Sequence, residues 1–196
     1  MSPITHFLIG WSVATSANIS RKERLFITLA GIAPDIDGAG LIFDLLGSHQ
    51  GSQLELWSKY HHILGHNIGF GLLLAIAAFA MSTKRWLVGF LVMASFHLHL
   101  VGDVLGARGP DGYQWPIPYL LPFSDAWQWT WAGQWQLNAW PNFLITIIAG
   151  CHMFYFAWKS GVSPLEFISP KANNSFVTTL RNRFGLPAGE IVRNRF

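Results

Sequence analysis

Apolar positions fall into blocks separated by short polar punctuation, and the blocks read as helices. Residues 4–17 form a first predicted helix. Ser20 followed by Glu23 makes a capping box, which opens a second helix through Leu25, Phe26, Ile27, Thr28, Leu29 and Ala30. That helix must stop near Pro34, because proline disfavours α geometry in the residue before it, and Asp35-Ile36-Asp37-Gly38 reads as a loop. Three uncharged apolar runs follow, over residues 68–81, 86–102 and 141–158. The pattern predicts an all-α, membrane-associated bundle built from two α-hairpins plus a further apolar helix. A helical domain is expected over residues 1–160 and a basic C-terminal tail over 161–196.

Length makes the membrane assignment quantitative. At 1.5 Å per residue the run over 68–81 reaches roughly 20 Å, short of a hydrocarbon core of about 30 Å. The two later runs sit near the lower limit for a span, so the helices are expected to cross with flanking residues included. Composition agrees, since charged residues are 12% of the 196, against about 25% in soluble domains. The apolar stretch from Phe7 to Ala14 is preceded by no Lys or Arg, so it reads as a helix of the protein and not as a secretory leader. A single cysteine, Cys151, excludes an intramolecular disulfide and a thiolate-rich zinc site.

The net charge of +3 does not point to nucleic acid, because the basic residues form no stripe interleaved with aromatics. They cluster at Arg21, Lys22 and Arg24, at Lys84 and Arg85, and in the segment from Lys159 onward. Two crossings separate the Lys84 turn from that last segment, which places both on one side, and the positive-inside tendency makes that side cytoplasmic. The connection between Trp115 and Trp140, rich in tryptophan, then lies opposite, where such rings anchor at the interface. The C-terminal segment is expected to be drawn to anionic lipid.

Seven residues are candidate ligands for a hard metal: His6, Asp35, Asp37, His61, His66, His99 and Asp103. In the first hairpin His6 opens one helix, while Asp35 and Asp37 follow the other, so all three lie at the end away from the Arg21 cluster. The second hairpin repeats the plan, with His66 before its first helix, Asp103 at the end of its second, and Lys84 and Arg85 at the closed turn. If both basic turns face the cytoplasm, the seven candidates collect at the opposite membrane face. His99 and Asp103 are spaced i, i+4 and share a helix face, whereas His97 points elsewhere and reads as a hydrogen-bonded interface histidine. His49 and His152 are not expected to be ligands.

The ordered set Thr5-His6, Ala30 through Asp37, His61 with His66, His99 through Asp103, and Leu121-Pro122-Phe123-Ser124 resembles the YdjM-like family of bacterial inner-membrane-associated, metal-dependent hydrolases. The match covers residues 1 to about 125. That family is distantly similar to zinc-dependent phospholipase C and related single-strand nucleases. The resemblance implies that Asp103 bridges two metals, with His6 on one side and His61 or His66, His99 and an aspartate on the other. The chain departs from the pattern at His62, where the family usually has arginine, and in lacking a later His-x-x-x-Glu pair.

These readings converge on a membrane-bound hydrolase that holds one or two divalent ions, zinc in the first place and manganese as the alternative. Its expected substrate is a small-molecule or lipid phosphoester attacked by a metal-activated water. Asp35 or Asp37 is the candidate general base, and membrane lipids are the expected surroundings. The alternative is a non-catalytic multi-pass protein that binds or transports a metal. Transporters place ionisable groups nearer the membrane midplane, whereas here the candidates lie at helix ends.

Overall fold

The protein is described by a computed structural model covering residues 1–39, 63–109 and 112–187. Among these residues the chain is helical, joined by turns and two isolated β-bridges. It divides into two compact units, Met1–Thr146 and Ile147–Phe196.

In the first unit, α1 spans Pro3–Ala14 and α2 spans Arg21–Ala30. Ser2 caps α1 through its side chain, and Pro3 opens it, where a missing N–H costs nothing. The helix ends three residues before its expected limit because the Thr15 hydroxyl turns back onto the Trp11 and Ser12 carbonyls, at 3.1 Å each. The capping box of Ser20 and Glu23 forms as expected. Pro34 does end the α geometry, but Ala33–Ala39 coils into a 3₁₀ helix where a loop was expected, since proline is tolerated in a first turn.

α3 spans Ile68–Met81, and its first turn is capped by the Asn67 side chain. α4 spans Arg85–Gly106, one turn beyond the expected end. Gly102 lies inside it, because a Cβ there would already be 3.0 Å from His6 Cε1, so the small residue lets α1 approach. α4 is the central element and packs against α1, α2 and α3. Its buried residues Val88, Leu91, Val92, Ser95, Phe96, His99, Leu100, Asp103 and Val104 follow one helical stripe. Near the α4 N-terminus Val88, Leu91 and Val92 pack with Ala14, Ile19, Ile27 and Ala78, while Phe96, Leu100 and Val104 pack with Ile117 toward its other end.

Three backbones meet where Gly10 of α1, Gly31 after α2 and Ser95 of α4 cross. A Cβ on Gly31 would lie 2.8 Å from Ser95 Oγ and 3.1 Å from Gly10 Cα, closer than real side chains tolerate. Small residues at helix crossings are how apolar helices gain contact without a hydrophobic driving force. The crossing also sets the register of His6, one turn before Gly10, and of His99, one turn after Ser95.

The two basic turns are tied together at the opposite end. Glu23 Oε2 accepts from the Ser20 N–H and hydroxyl, at 2.8 Å each, while Oε1 accepts from the Thr83 and Lys84 N–H groups at 3.0 and 2.9 Å. Lys84 Nζ donates to the Asn18 carbonyl at 2.5 Å. The hairpins are therefore aligned with their closed ends side by side, as the charge pattern predicted.

The apolar helix expected over 141–158 runs over Trp140–Ser160 as α5. α4 and α5 are both long and apolar enough to cross a membrane, and α3 is a shorter apolar helix. The expected basic tail contains a 3₁₀ turn, Pro164–Phe167, and a further helix, α6, over Pro170–Phe184 with Ser169 as its side-chain cap. Residues 188–196 of that segment lie outside the described residues.

Burial pushes the Glu23 carboxyl up, but the backbone donors of Lys84, Ser20 and Thr83 and the Ser20 hydroxyl outweigh it and hold the group at about 2, below its usual 4.5. A depressed carboxyl stabilises the fold above its unfolded value and loses that contribution as pH falls from 4.5 toward about 2. Glu23→Gln is expected to flatten this acid limb of the stability profile. Glu23→Ala should destabilise the protein by about 2 kcal/mol, because it leaves several donors unmet. Thermal unfolding in detergent between about pH 2 and 7, which spans that window, checks both.

Candidate metal centre

Asp103, fully enclosed near the end of α4, is the hub of the candidate site. Its two oxygens face different partners. Oδ1 lies 3.1 Å from His6 Nε2 and also contacts the amino group of Met1. Oδ2 lies 3.0 Å from His99 Nε2 and 3.3 Å from His66 Nε2. The His6 and His99 rings lie against each other at a tilt of 31°, with centroids 3.8 Å apart.

The second ring nitrogens decide what this arrangement needs. His99 Nδ1 lies 2.8 Å from the Gly31 carbonyl, which can only accept, so Nδ1 carries the proton and Nε2 presents a lone pair. His66 Nδ1 lies 2.9 Å from Asp37 Oδ2, and the same reasoning gives His66 Nε2 a lone pair. These two Nε2 atoms stand 3.1 Å apart, beside a carboxylate oxygen. Two lone pairs and an anion at that separation repel unless a cation or a proton lies among them. Asp35 adds to the demand: Oδ1 is 3.7 Å from His99 Nε2, and the buried Oδ2 has no hydrogen-bond partner.

The donor set thus fits a divalent ion. His6, Asp35, His99 and Asp103 each offer an atom, all within 4.8 Å of one another, so that modest side-chain shifts would bring them to bonds of roughly 2 Å around one ion. The group can hold a metal. His66 has burial acting to lower its pKa, yet hydrogen bonds from Asp103 and Asp37 prevail and raise it to about 9. In the metal-free protein a proton on His66 relieves the repulsion that an ion would otherwise relieve.

Of the seven sequence candidates, the structure brings together His6, Asp35, His66, His99 and Asp103. Asp37 sits one imidazole further out, behind His66, where Oδ2 also accepts from the Gly65 N–H at 3.2 Å. His61 lies outside the described residues, as do His49 and His62. His97 is an interface histidine: Nδ1 donates to the Met93 carbonyl at 2.7 Å, and Nε2 accepts from the Tyr119 hydroxyl at 2.8 Å. The Leu121-Pro122-Phe123-Ser124 element, whose first peptide bond is cis, packs on the first turn of α3, where Leu121 accepts from the Gly69 N–H at 3.2 Å.

Two participants carried no sequence signal. The Gly31 carbonyl orients His99 and belongs to the backbone, so residue type does not reveal it. Buried Gln134 donates to the Asp103 carbonyl at 2.8 Å from a segment 31 residues away, and no spacing marks it.

The chain belongs to a family of inner membrane proteins, the YdjM inner membrane protein family, whose model matches residues 1–173. No curated protein and no solved structure matches it.

The position of Asp37 yields a test. A partner that orients a ligand through a hydrogen bond is replaceable by another acceptor, whereas a ligand is not. Asp37→Asn, which keeps an acceptor but loses the charge, should lower metal affinity less than Asp37→Ala, which should lower it by about 10–100-fold, read by competition with a chromogenic chelator. Gly65→Ala is expected to act alike, because its Cβ would stand 2.4 Å from the Pro34 carbonyl oxygen and push His66 away from Asp37.

Proposed function

We propose that the protein is a membrane-embedded, metal-dependent hydrolase acting on a phosphoester. The observation that carries this reading is the convergence of His66 Nε2 and His99 Nε2, 3.1 Å apart, on Asp103, with the outer nitrogens fixed by Gly31 and Asp37. His6, His66, His99 and Asp103 would hold one or two divalent ions, with Asp35 beside them, 3.7 Å from His99 Nε2. Asp103 is suited to bridge a pair, because its Oδ1 meets His6 while its Oδ2 meets His66 and His99. Zinc fits the imidazole and carboxylate donors, and manganese fits them too.

An ion held there supplies positive charge for the developing phosphoryl oxygens and a water whose pKa falls from about 15.7 toward about 7. The chain's own groups divide the remaining work. Asp37 is committed to orienting His66, which leaves Asp35 as the candidate general base. Its side chain is 21% exposed, so it can take a proton from water and return it to solvent. Gly31 keeps the His99 ring in one tautomer. The resemblance to zinc-dependent phospholipase C supports the phosphoester class, and the membrane setting favours a lipid or a small membrane-derived ester.

The charge pattern supports a multi-pass topology with the basic turns and C-terminal segment cytoplasmic and the metal centre at the extracytoplasmic face. Labelling from outside intact cells, in a Cys151→Ser background, should modify a cysteine placed at Trp115 and spare one placed at Lys84. The reverse pattern inverts the topology.

The hydrolase reading is tested in purified, detergent-solubilised protein. Elemental analysis should find zinc or manganese, and Asp103→Ala should lose it together with at least about a hundredfold of phosphodiesterase activity, measured with bis(p-nitrophenyl) phosphate. Unchanged metal content and hydrolysis in Asp103→Ala would sink the proposal.

A further inference from the structure

Arg108 stands out from the charge pattern. It is the only Lys or Arg between Arg85 and Lys159, and it follows the end of α4 that carries Asp103, away from both basic turns. Among the described residues no carboxylate pairs with it, and its Nε is enclosed without a hydrogen-bond partner. Among the described residues Nε has no acceptor and the guanidinium no counter-charge, a state that a bound anion would relieve.

The surroundings form a groove of about 640 Å³ lined by Arg108, Gln136, Leu137, Asn138 and Phe143. Its floor is fixed by backbone pairing: the Arg108 N–H donates to the Trp135 carbonyl, and the Leu137 N–H donates to the Arg108 carbonyl, both at 3.1 Å. Asn142 holds the two sides, donating to the Gly106 and Leu137 carbonyls at 2.8 Å each and accepting from Trp135 Nε1 at 2.9 Å. The arginine is therefore carried on a rigid base, and the amides of Gln136 and Asn138 supply further donors. Leu137 and Phe143, 52% and 60% exposed, give the groove an apolar side. Phe143 belongs to the first turn of α5 and Arg108 follows the last turn of α4, so the groove lies at the level where both apolar helices end, which in a bilayer is headgroup depth.

We propose that this groove is an anion site that binds the phosphate group of an amphiphile through Arg108. An arginine fork suits two phosphate oxygens at once, and the apolar side suits the chain next to the headgroup. This site is separate from the metal centre and does not depend on the hydrolase reading. The same phosphate chemistry is offered by a lipid headgroup and by free phosphate, and the probes separate them.

The test uses full-length protein in detergent, with inorganic phosphate followed by ³¹P NMR and retention of phosphatidylglycerol followed by native mass spectrometry. Arg108→Gln should weaken phosphate binding by about tenfold or more while metal content stays at the wild-type level, since Arg108 contacts none of the described candidate ligands. Should that variant fail to fold, Arg108→Lys keeps the charge and loses the planar fork, and should weaken binding by about threefold or more. Phe143→Ala reports the source: reduced retention of phosphatidylglycerol with unchanged phosphate binding identifies the headgroup, and an unchanged response to both identifies free phosphate. Wild-type affinity for both probes in whichever Arg108 variant folds overturns the proposal.

Discussion

A carboxylate enclosed in the interior of an apolar helix bundle has no water to solvate it, and the arrangement around Asp103 is the answer to that constraint. An ionised group in such a place costs several kcal/mol unless it is paired and hydrogen-bonded. Three histidines drawn from α1, the turn before α3 and α4 itself converge on its two oxygens. Those segments reach it only because the helices cross closely, and they cross closely only because Gly10, Gly31 and Gly102 present no side chain there. Packing and chemistry are thus one requirement: the residues that permit the crossing are those that bring the ligands within reach.

Separation along α4 gives the arrangement its direction. Nineteen residues lead from Lys84 to Asp103, about 28 Å at 1.5 Å each, which approaches the thickness of a hydrocarbon core. Glu23 holds the two basic turns together at one end, and Asp103 gathers the histidines at the other. The apolar stretch between them is closed by small residues and a continuous buried stripe. A molecule so built carries cations at one end and a buried set of imidazole and carboxylate donors at the other.

Much of this was readable from the chain because its signals are local. The capping box at Ser20 and Glu23, the proline stop at Pro34, and the i, i+4 pair of His99 and Asp103 depend on residues near one another in sequence. Equal placement of basic residues at both hairpin turns then allowed the open ends to be superposed. The missing parts were long-range or lay in the backbone. Whether Asp35 or Asp37 faces the cluster is settled by the 3₁₀ coil of Ala33–Ala39, which turns the two side chains apart, and a loop assignment carries no such phase. The helix over Pro170–Phe184 was hidden because its composition of Asn, Ser, Thr and Arg resembles a solvated tail, while its start is fixed by Ser169 and Pro170 alone.

The two inward-facing imidazoles are not equivalent, and the difference follows from what stands behind each ring. His99 donates to a neutral carbonyl, Gly31, whereas His66 donates to the carboxylate of Asp37. A carboxylate behind a histidine raises the basicity of the opposite nitrogen, so His66 is the stronger donor and also the better proton acceptor. His66 lies on a turn and not inside a helix, held to Pro34 through Gly65. The proton-accepting imidazole is therefore carried by the turn before α3, whereas His99 and Asp103 sit together on α4, the helix whose crossing with α1 and α2 the bundle rests on.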